Sequence, residues 1–132
     1  NQTSDPFARI ATATAVLHNK MGHFFWTGYY RLIDSELTVT SYQGSVACLV
    51  LGKDTGVCWA GINEGRSIVV DDVEKFPGHI TCDSRSRSEI VIPVRNQENE
   101  IVGIFDVDSK ETGSFDEIDR KYLEEIIGKI YD

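Results

Sequence analysis

Residues 89–108, EIVIPVRNQENEIVGIFDVD, decide the fold because they hold the two strongest strand patterns of the chain. The apolar runs at 89–94 and 100–108 are separated by a polar turn, and this pattern predicts a β-hairpin. We expect the turn to be centred between Gln97 and Glu98, which fixes how the two strands pair.

The same hairpin brings three acids together. With the turn centred in this way, Val94 faces Ile101 and Glu89 faces Asp106. Asp108 lies two residues beyond Asp106 and therefore on the same face of the sheet. Because like charges opposite one another are destabilising, we expect a cation between the acids or a proton on one of them. Alternatively the acids mark a solvated sheet end, and a slip of one residue would turn Glu89 to the other face.

Helix and strand patterns precede this hairpin. Asp5 before Pro6 is typical of a helix start, and apolar residues at helical spacing extend the helix over roughly 6–20. The run FFWTGYYRLI at 24–33 and the run ELTVTSY at 36–42 predict a second hairpin. The N-terminal half therefore supplies one helix and two strands.

The remaining segments add two helices, a strand and a loop. A short helix is predicted from Thr55, followed by the strand SIVV at 67–70, and residues 74–88 form a polar loop of a length that tends to be functional or disordered. Ser114 and Glu117 form a capping-box pattern that opens a C-terminal helix. The apolar residues predicted on one side of that helix are Ile118, Tyr122, Ile126, Ile127 and Ile130. The order predicts a single α+β domain, with a mainly antiparallel central sheet flanked by N- and C-terminal helices.

Composition narrows the class of protein. The chain has 132 residues, 41% of them hydrophobic, and a net charge of −8, which is typical of one folded domain. An acidic chain without a basic run argues against nucleic acid and anionic membranes as partners. The apolar stretches are too short for a membrane helix. The chain does not begin with Met, and we expect its N-terminus to be trimmed.

The cysteines point to a reducing compartment. Cys48, Cys58 and Cys82 are odd in number and form no CxxC pair, which argues against a structural zinc site and a thioredoxin-type motif. We therefore expect a cytoplasmic location and at least one functional thiol. The alternative is that they are buried thiols acting as small hydrophobic side chains.

Cys82 lies in the long polar loop among groups that favour a thiolate. His79, Arg85 and Arg87 flank it, and positive neighbours lower a thiol pKa. A lone loop cysteine is more often inert, and His79 more often only satisfies backbone hydrogen bonds in a Pro-Gly turn. On a predicted strand, Trp26 and Tyr30 face the same side and form either a ligand cage or part of the core.

Three segments carry a resemblance to a known family. They are GVC at 56–58, IVVDDVEKFPGHITCDSRSRSEIVIPV at 68–94 and VGIFDVDS at 102–109. In these segments the chain resembles the free methionine-(R)-sulfoxide reductases, a catalytic branch of the GAF-domain superfamily. The similarity runs from about Ala8 to the C-terminus, and the resemblance implies one GAF-like catalytic domain over residues 1–132.

The resemblance implies roles for the thiols. Cys82 is expected to be the nucleophile, Cys48 the resolving thiol, and Cys58 an accessory or alternative partner. The reaction implied is reduction of free L-methionine-(R)-S-oxide through a sulfenic acid on Cys82 and an intramolecular disulfide. An external dithiol, expected to be thioredoxin, regenerates the thiols, and no metal or organic cofactor is expected.

The resemblance also implies the residues that hold the substrate. Glu89, Asp106 and Asp108 are expected to form its polar network, with one acid as proton donor, and Trp26 and Tyr30 the wall around its methyl group. A homodimer is expected from the family.

Two other functions stay open. A non-catalytic GAF module that binds a small ligand would explain a pocket but not the three cysteines. A thiol switch or metal sensor would use Cys48, Cys58, Cys82 and His79.

Overall fold

The protein is described by a computed structural model that covers residues 2–79 and 82–132. Ile80 and Thr81, within the predicted 74–88 loop, lie outside the described residues. The helices are α1 (Pro6–Lys20), α2 (Gly56–Glu64) and α3 (Glu117–Ile127), with a 3-10 helix at Val73–Lys75. The strands are β1 (Trp26–Ile33), β2 (Glu36–Gln43), β3 (Val50–Leu51), β4 (Ile68–Val70), β5 (Ser88–Arg95) and β6 (Ile101–Ser109). Over the described ranges, no helix combines the length and apolar character needed to span a bilayer.

The predicted N-terminal helix and the predicted short helix after Thr55 are both confirmed. In α1, Asp5 is the N-cap residue, its side chain accepts a hydrogen bond from the Phe7 amide at 3.1 Å, and Pro6 occupies the first helical position. The short helix α2 follows Thr55 as its N-cap residue and ends at Gly65, which has the left-handed conformation that glycine adopts without strain.

The strands form one antiparallel sheet in the order β3-β2-β1-β6-β5-β4. Both predicted hairpins are present, as β1–β2 and β5–β6. They join through the central pair β1–β6, so residues far apart in sequence become neighbours. The predicted α+β class with a mainly antiparallel central sheet is confirmed.

The predicted register of the β5–β6 hairpin is wrong by two residues. Glu89 faces Asp108 rather than Asp106. Because side chains alternate between faces with a period of two, a shift of two residues returns every side chain to its predicted face. The three acids therefore share one face of the sheet, as expected.

Two extra residues on the β6 side cause this shift. Val94 faces Gly103 instead of Ile101. In the turn, Asn99 has a φ of 64°, the left-handed conformation that adds a third residue to the hairpin loop. A second irregularity lies between Val94 and Arg95, where the partner on β6 jumps by two. Polar turn sequences of this kind do not reveal such bulges.

Helix α3 begins later than predicted. The capping box expected at Ser114 and Glu117 is wrong, since Asp116 is the N-cap residue and Asp119 its partner. The Asp116 side chain accepts a hydrogen bond from the Asp119 amide, and the Asp119 side chain accepts one from the Asp116 amide, both at 3.0 Å. Phe115 is buried in the core before the helix starts, and this anchoring delays the helix.

The apolar side predicted for α3 is only partly correct, because Ile127 and Ile130 are buried while the other three residues are exposed. Ile118 and Tyr122 are 65% and 63% exposed, and Ile126 lies on the same outer stripe. The buried apolar residues of this segment are Leu123, Ile127 and Ile130. The segment carries two apolar stripes at helical spacing, and spacing alone does not say which of them contacts the sheet.

The helices divide between the two sheet faces. Helices α1 and α3 pack against one face, where Ile90, Phe105 and Val107 contribute to an apolar core. Helix α2 packs against the other face. Close approach there depends on Gly61, where an added Cβ would lie 2.8 Å from Ile104 Cδ1.

Candidate active site

A cavity of about 140 Å³ lies on the α2 face of the sheet. Its walls come from the segment between β2 and β3, the start of α2, the chain before β5, and the ends of β1, β5 and β6. All eight residues assigned to the site from the sequence line it: Trp26, Tyr30, Cys48, Cys58, Cys82, Glu89, Asp106 and Asp108. The structure therefore brings the predicted residues together in one pocket.

The floor of the pocket is acidic. Glu89 and Asp106 are buried, at 5% and 4% exposure, and Asp108 is half-buried. Asp108 lies between Glu89 on β5 and Trp26 on β1, and Asp106 lies opposite Gly28. The acids thus occupy neighbouring positions on two adjacent strands, β5 and β6, beside β1.

Burial raises the pKa of all three carboxyls. For Glu89 and Asp108, burial is the largest cause, and the negative charge of Asp106 raises their pKa further. For Asp106, burial raises the pKa, while hydrogen bonds with Glu89 and Cys58 oppose the shift. The lining of the described pocket includes no Lys or Arg to offset these charges. The cluster is therefore suited to hold a proton near neutral pH and to receive a cationic group.

Aromatic rings form one wall, as the sequence predicts. The ring centroids of Trp26 are 5.8 Å from those of Tyr30 and 5.6 Å from those of Tyr42, in stacked arrangements. The indole lies over Gly28, where an added Cβ would be 2.3 Å from the ring. The indole nitrogen donates to the Ser45 carbonyl at 3.0 Å. The wall is thereby tied to the segment that carries one of the thiols.

Two thiols form a disulfide at the pocket. Cys48 and Cys82 are bonded, with their Cα atoms 5.7 Å apart, within the range usual for disulfides. Cys48 is half-buried and Cys82 is exposed. The pairing implied by the family resemblance is therefore present in this structure.

The third thiol is free and lies deeper. Cys58 on α2 is buried, and its Sγ donates to Glu89 Oε2 at 3.9 Å. Burial raises the pKa of this thiol, and the charge of Asp106 raises it further. The group is therefore a neutral thiol beside the acids, and the accessory redox role expected for it stays a prediction.

The ionisable neighbours predicted around Cys82 have other partners. Arg85 forms an ion pair with Asp83 at 2.7 Å, and Arg87 forms one with Glu74 at 3.4 Å. His79 lines the pocket; its amide donates to the Phe76 carbonyl, and burial lowers the pKa of its ring.

Sequence reasoning missed one wall of the pocket. Ser45, Val46 and Ala47 line the cavity from the segment between β2 and β3. This segment has no hydrophobic periodicity, so the sequence gives no signal beyond the nearby Cys48. Asp83 and Ser86 also line the cavity without having been predicted.

The chain is similar to a known family and to proteins of that family. The chain matches the GAF domain family model over residues 8–130. GAF domain-containing protein A of Dictyostelium discoideum is 46% identical over 126 residues, covering 94% of this chain and 78% of that protein. The free methionine-R-sulfoxide reductase of Escherichia coli is 33% identical over 123 residues, covering 93% of this chain and 74% of the enzyme.

A solved structure extends the similarity to three dimensions. It is the free methionine-R-sulfoxide reductase of Neisseria meningitidis, in complex with its substrate. The TM-score is 0.92 at 36% identity, covering 98% of this chain and 78% of that chain. The similarity therefore covers the whole sheet and the elements around the cavity.

Proposed function

This chain belongs to the GAF-domain family and to its free methionine-(R)-sulfoxide reductase branch, and from that premise we propose that its pocket reduces free L-methionine-(R)-S-oxide to L-methionine. The observation that carries the proposal is the disulfide between Cys48 and Cys82 beside a floor of three acids, two of them buried. A redox pair and a proton source are the two components that sulfoxide reduction requires, and the pocket places them together.

The first step is attack by Cys82 on the substrate. In the reduced protein, the Cys82 thiolate attacks the sulfoxide sulfur, an S–S bond forms, and the protonated oxygen leaves as water while the S–O bond breaks. Water then attacks the Cys82 sulfur, and the S–S bond breaks with its electron pair going to the substrate sulfur. The sulfur of the substrate gains two electrons and methionine is released. Cys82 loses two electrons and carries one oxygen, as a sulfenic acid.

A carboxylic acid supplies a proton to the departing sulfoxide oxygen. Burial and mutual repulsion raise the pKa of Glu89 and Asp108, so a proton is retained in the cluster near neutral pH. The other acids are then available to bind the α-ammonium group of a free amino acid. We assign the substrate methyl group to the wall of Trp26 and Tyr30.

The second step forms the disulfide. Cys48 attacks the sulfur of the Cys82 sulfenic acid, an S–S bond forms and water leaves. An external dithiol then reduces the disulfide by exchange, and Cys82, which is exposed, is the accessible sulfur. We propose thioredoxin as this dithiol, in the cytoplasm, with no metal or organic cofactor in the cycle.

We also propose a homodimer. Its support in this structure is the exposed apolar stripe of Ile118, Tyr122 and Ile126 on α3, which a second copy would cover. Sedimentation of the wild type and of a Tyr122→Glu variant tests this, because loss of the dimer only in the variant would place the interface on α3.

Counting thiols during one turnover tests the reductase. Reduced protein has three thiols, and each methionine formed should consume two of them. Cys82→Ser should form no methionine, because attack comes first. Cys48→Ser should form about one methionine per chain and then stall. A non-catalytic ligand-binding module would lose no thiols, and a full burst from Cys82→Ser would overturn the assignment of the nucleophile.

A further inference from the structure

Cys58 is a buried thiol that the reduction sequence above does not require. The redox pair is formed by Cys48 and Cys82, which leaves Cys58 free on α2. Its Sγ points at Glu89 Oε2, 3.9 Å away. A thiol aimed at a carboxylate in a pocket is a pair of potential ligands for a metal ion.

Asp106 completes a set of three donors. One ligand atom from each of Cys58, Glu89 and Asp106 lies within 4.8 Å of the other two. In tetrahedral zinc sites, ligand bonds of about 2.0–2.3 Å place neighbouring donors about 3.3–3.6 Å apart. Side-chain rotations that move the ligand atoms by about 1 Å would therefore bring the three donors to the separations of a zinc site.

An unpartnered oxygen independently points to a ligand at this place. Asp106 is 4% exposed, and its Oδ1 is buried without a hydrogen-bond partner. A buried carboxylate oxygen without a partner is costly, and such groups are normally paired or coordinate a metal. The described lining of the cavity supplies no Lys or Arg that would neutralise it.

We propose that Cys58, Glu89 and Asp106 form a binding site for a thiophilic divalent cation, represented by Zn²⁺. Three protein ligands leave the fourth tetrahedral position open towards the cavity, as in zinc sites that keep a water molecule. On binding the ion, the Cys58 thiol releases its proton to solvent and becomes a thiolate. The thiolate favours zinc over magnesium and calcium, which prefer oxygen ligands alone.

Bound zinc excludes methionine sulfoxide from the pocket. This second statement rests on the proposed function, because it takes Glu89 and Asp106 as part of the substrate network. The cation and the substrate need the same two carboxyls, so only one of them is bound at a time. The metal site itself does not depend on the reductase activity.

Cobalt binding to the oxidised protein tests the site without turnover. With Cys48 and Cys82 in a disulfide, Cys58 is the sole thiol of the chain, so a thiolate-to-cobalt charge-transfer band must come from it. We expect this band in the oxidised wild type, its loss when Zn²⁺ displaces Co²⁺, and its absence in Cys58→Ala. Mutating a residue that only hydrogen-bonds to a metal ligand typically lowers metal affinity by about 10–100-fold. Removing the Cys58 thiolate removes a ligand itself, so it should weaken Zn²⁺ binding by about 100-fold or more.

A matched variant keeps the test decisive if the disulfide blocks entry. In Cys48→Ser/Cys82→Ser, Cys58 is again the sole thiol, there is no disulfide, and the band should be present. Absence of the band in both proteins, or equal Zn²⁺ affinity in the oxidised wild type and in oxidised Cys58→Ala, overturns the site.

The same double variant tests exclusion of the substrate. This variant cannot turn over methionine sulfoxide, because the nucleophile is gone. Added sulfoxide should therefore displace cobalt and weaken the charge-transfer band. A band that persists at saturating sulfoxide overturns mutual exclusion but leaves the metal site standing. Failure of the reductase proposal is seen separately, as no methionine formed by the reduced, metal-free wild type.

Discussion

The two faces of the sheet use alternate residues of the same strands for opposite purposes. On β5 and β6, Ile90 and Phe105 point to the α1 and α3 side, where the surroundings are apolar. Their neighbours Glu89 and Asp106 point to the α2 side and form the acidic floor of the pocket. Strand pairing that stabilises the core therefore also sets the spacing of the acids. The core therefore positions the acids of the site, while the segments before β3 and β5 supply the two thiols of the disulfide.

The two faces differ in how they respond to protons. The pocket face buries carboxyls whose charged form is disfavoured, and their pKa is raised. The face covered by α1 and α3 contains His18, which shares a hydrogen bond of 3.0 Å with Thr27. Burial lowers the pKa of His18. Mutations on the pocket face should therefore change activity, and protonation should change stability with opposite pH dependence on the two faces.

Removing a carboxyl group from the pocket face should give the largest effect. In Asp106→Asn or Glu89→Gln, sulfenic acid formation should slow by about 10²–10⁴-fold, as is usual when a general acid is lost. Quenched-flow measurement of methionine in a single turnover checks this, with Glu98→Gln, an exposed acid in the same hairpin, as the control. Wild-type rates in every amide variant would remove the acids from the site.

The same amide variants should be more stable than the wild type at neutral pH. A carboxyl whose pKa is raised on folding contributes stability below its unfolded pKa and loses that contribution as pH rises through the folded pKa. The gain should therefore be largest at high pH and shrink as pH falls. Chemical denaturation at several pH values measures it, and a loss of stability at all pH values would contradict the cost assigned to burial.

Changing the substrate should give the next largest effect. Acylating the α-nitrogen removes its charge and leaves buried acids unpaired, so we expect kcat/KM to fall about 10³-fold or more for N-acetyl-methionine sulfoxide and for peptides. The S-epimer should be nearly inert, because its oxygen points away from the acids. The test measures kcat/KM with one reductant for the free R-epimer, the free S-epimer, the N-acetylated form and the peptide-bound form. Comparable activity on peptides would indicate an open groove.

A conservative truncation on the apolar face should affect stability alone. Ile92 is buried in the core on the α1 and α3 side, and Ile92→Val should lower the free energy of unfolding by about 0.5–1.5 kcal/mol. Because the shortened side chain points away from the pocket, kcat should stay at the wild-type value. A large change in kcat with unchanged stability would mean that the two faces are not separable.

Titration of His18 should give the smallest effect. Its pKa is lowered on folding, so its contribution to stability is present above the unfolded pKa of 6.5 and lost as pH falls through the folded pKa. The free energy of unfolding of His18→Gln should depend less on pH between about 5 and 7 than that of the wild type. Parallel curves for the two proteins would show that His18 does not titrate differently on folding.

The placement of the acids was predictable because it depends on parity. The alternation of β5 and β6 places Glu89, Asp106 and Asp108 on one face in any register that shifts by an even number of residues. The register itself was not predictable, since the extra residue at Asn99 has no distinctive sequence signal. The pairing predicted for Glu89 was therefore wrong while its face was right.

Other features depend on contacts that no local pattern encodes. The pairing of Cys48 with Cys82 was expected from the family resemblance alone, because the two positions are 34 residues apart and no local pattern links them. The outward position of Tyr122 on α3 follows from which of two apolar stripes fits the sheet. In each case the tertiary contact, rather than the residue pattern, decides.

The disulfide of this structure also changes how firmly the chain is held together. It closes a loop between positions 34 residues apart, which by the chain-entropy model disfavours the unfolded state by about 4 kcal/mol relative to the reduced form. Each catalytic cycle then alternates between a cross-linked chain and an open one. The oxidised protein is therefore the form that is more resistant to heat and proteases. The reductant converts it to the reduced form, which is less resistant but reacts with the substrate.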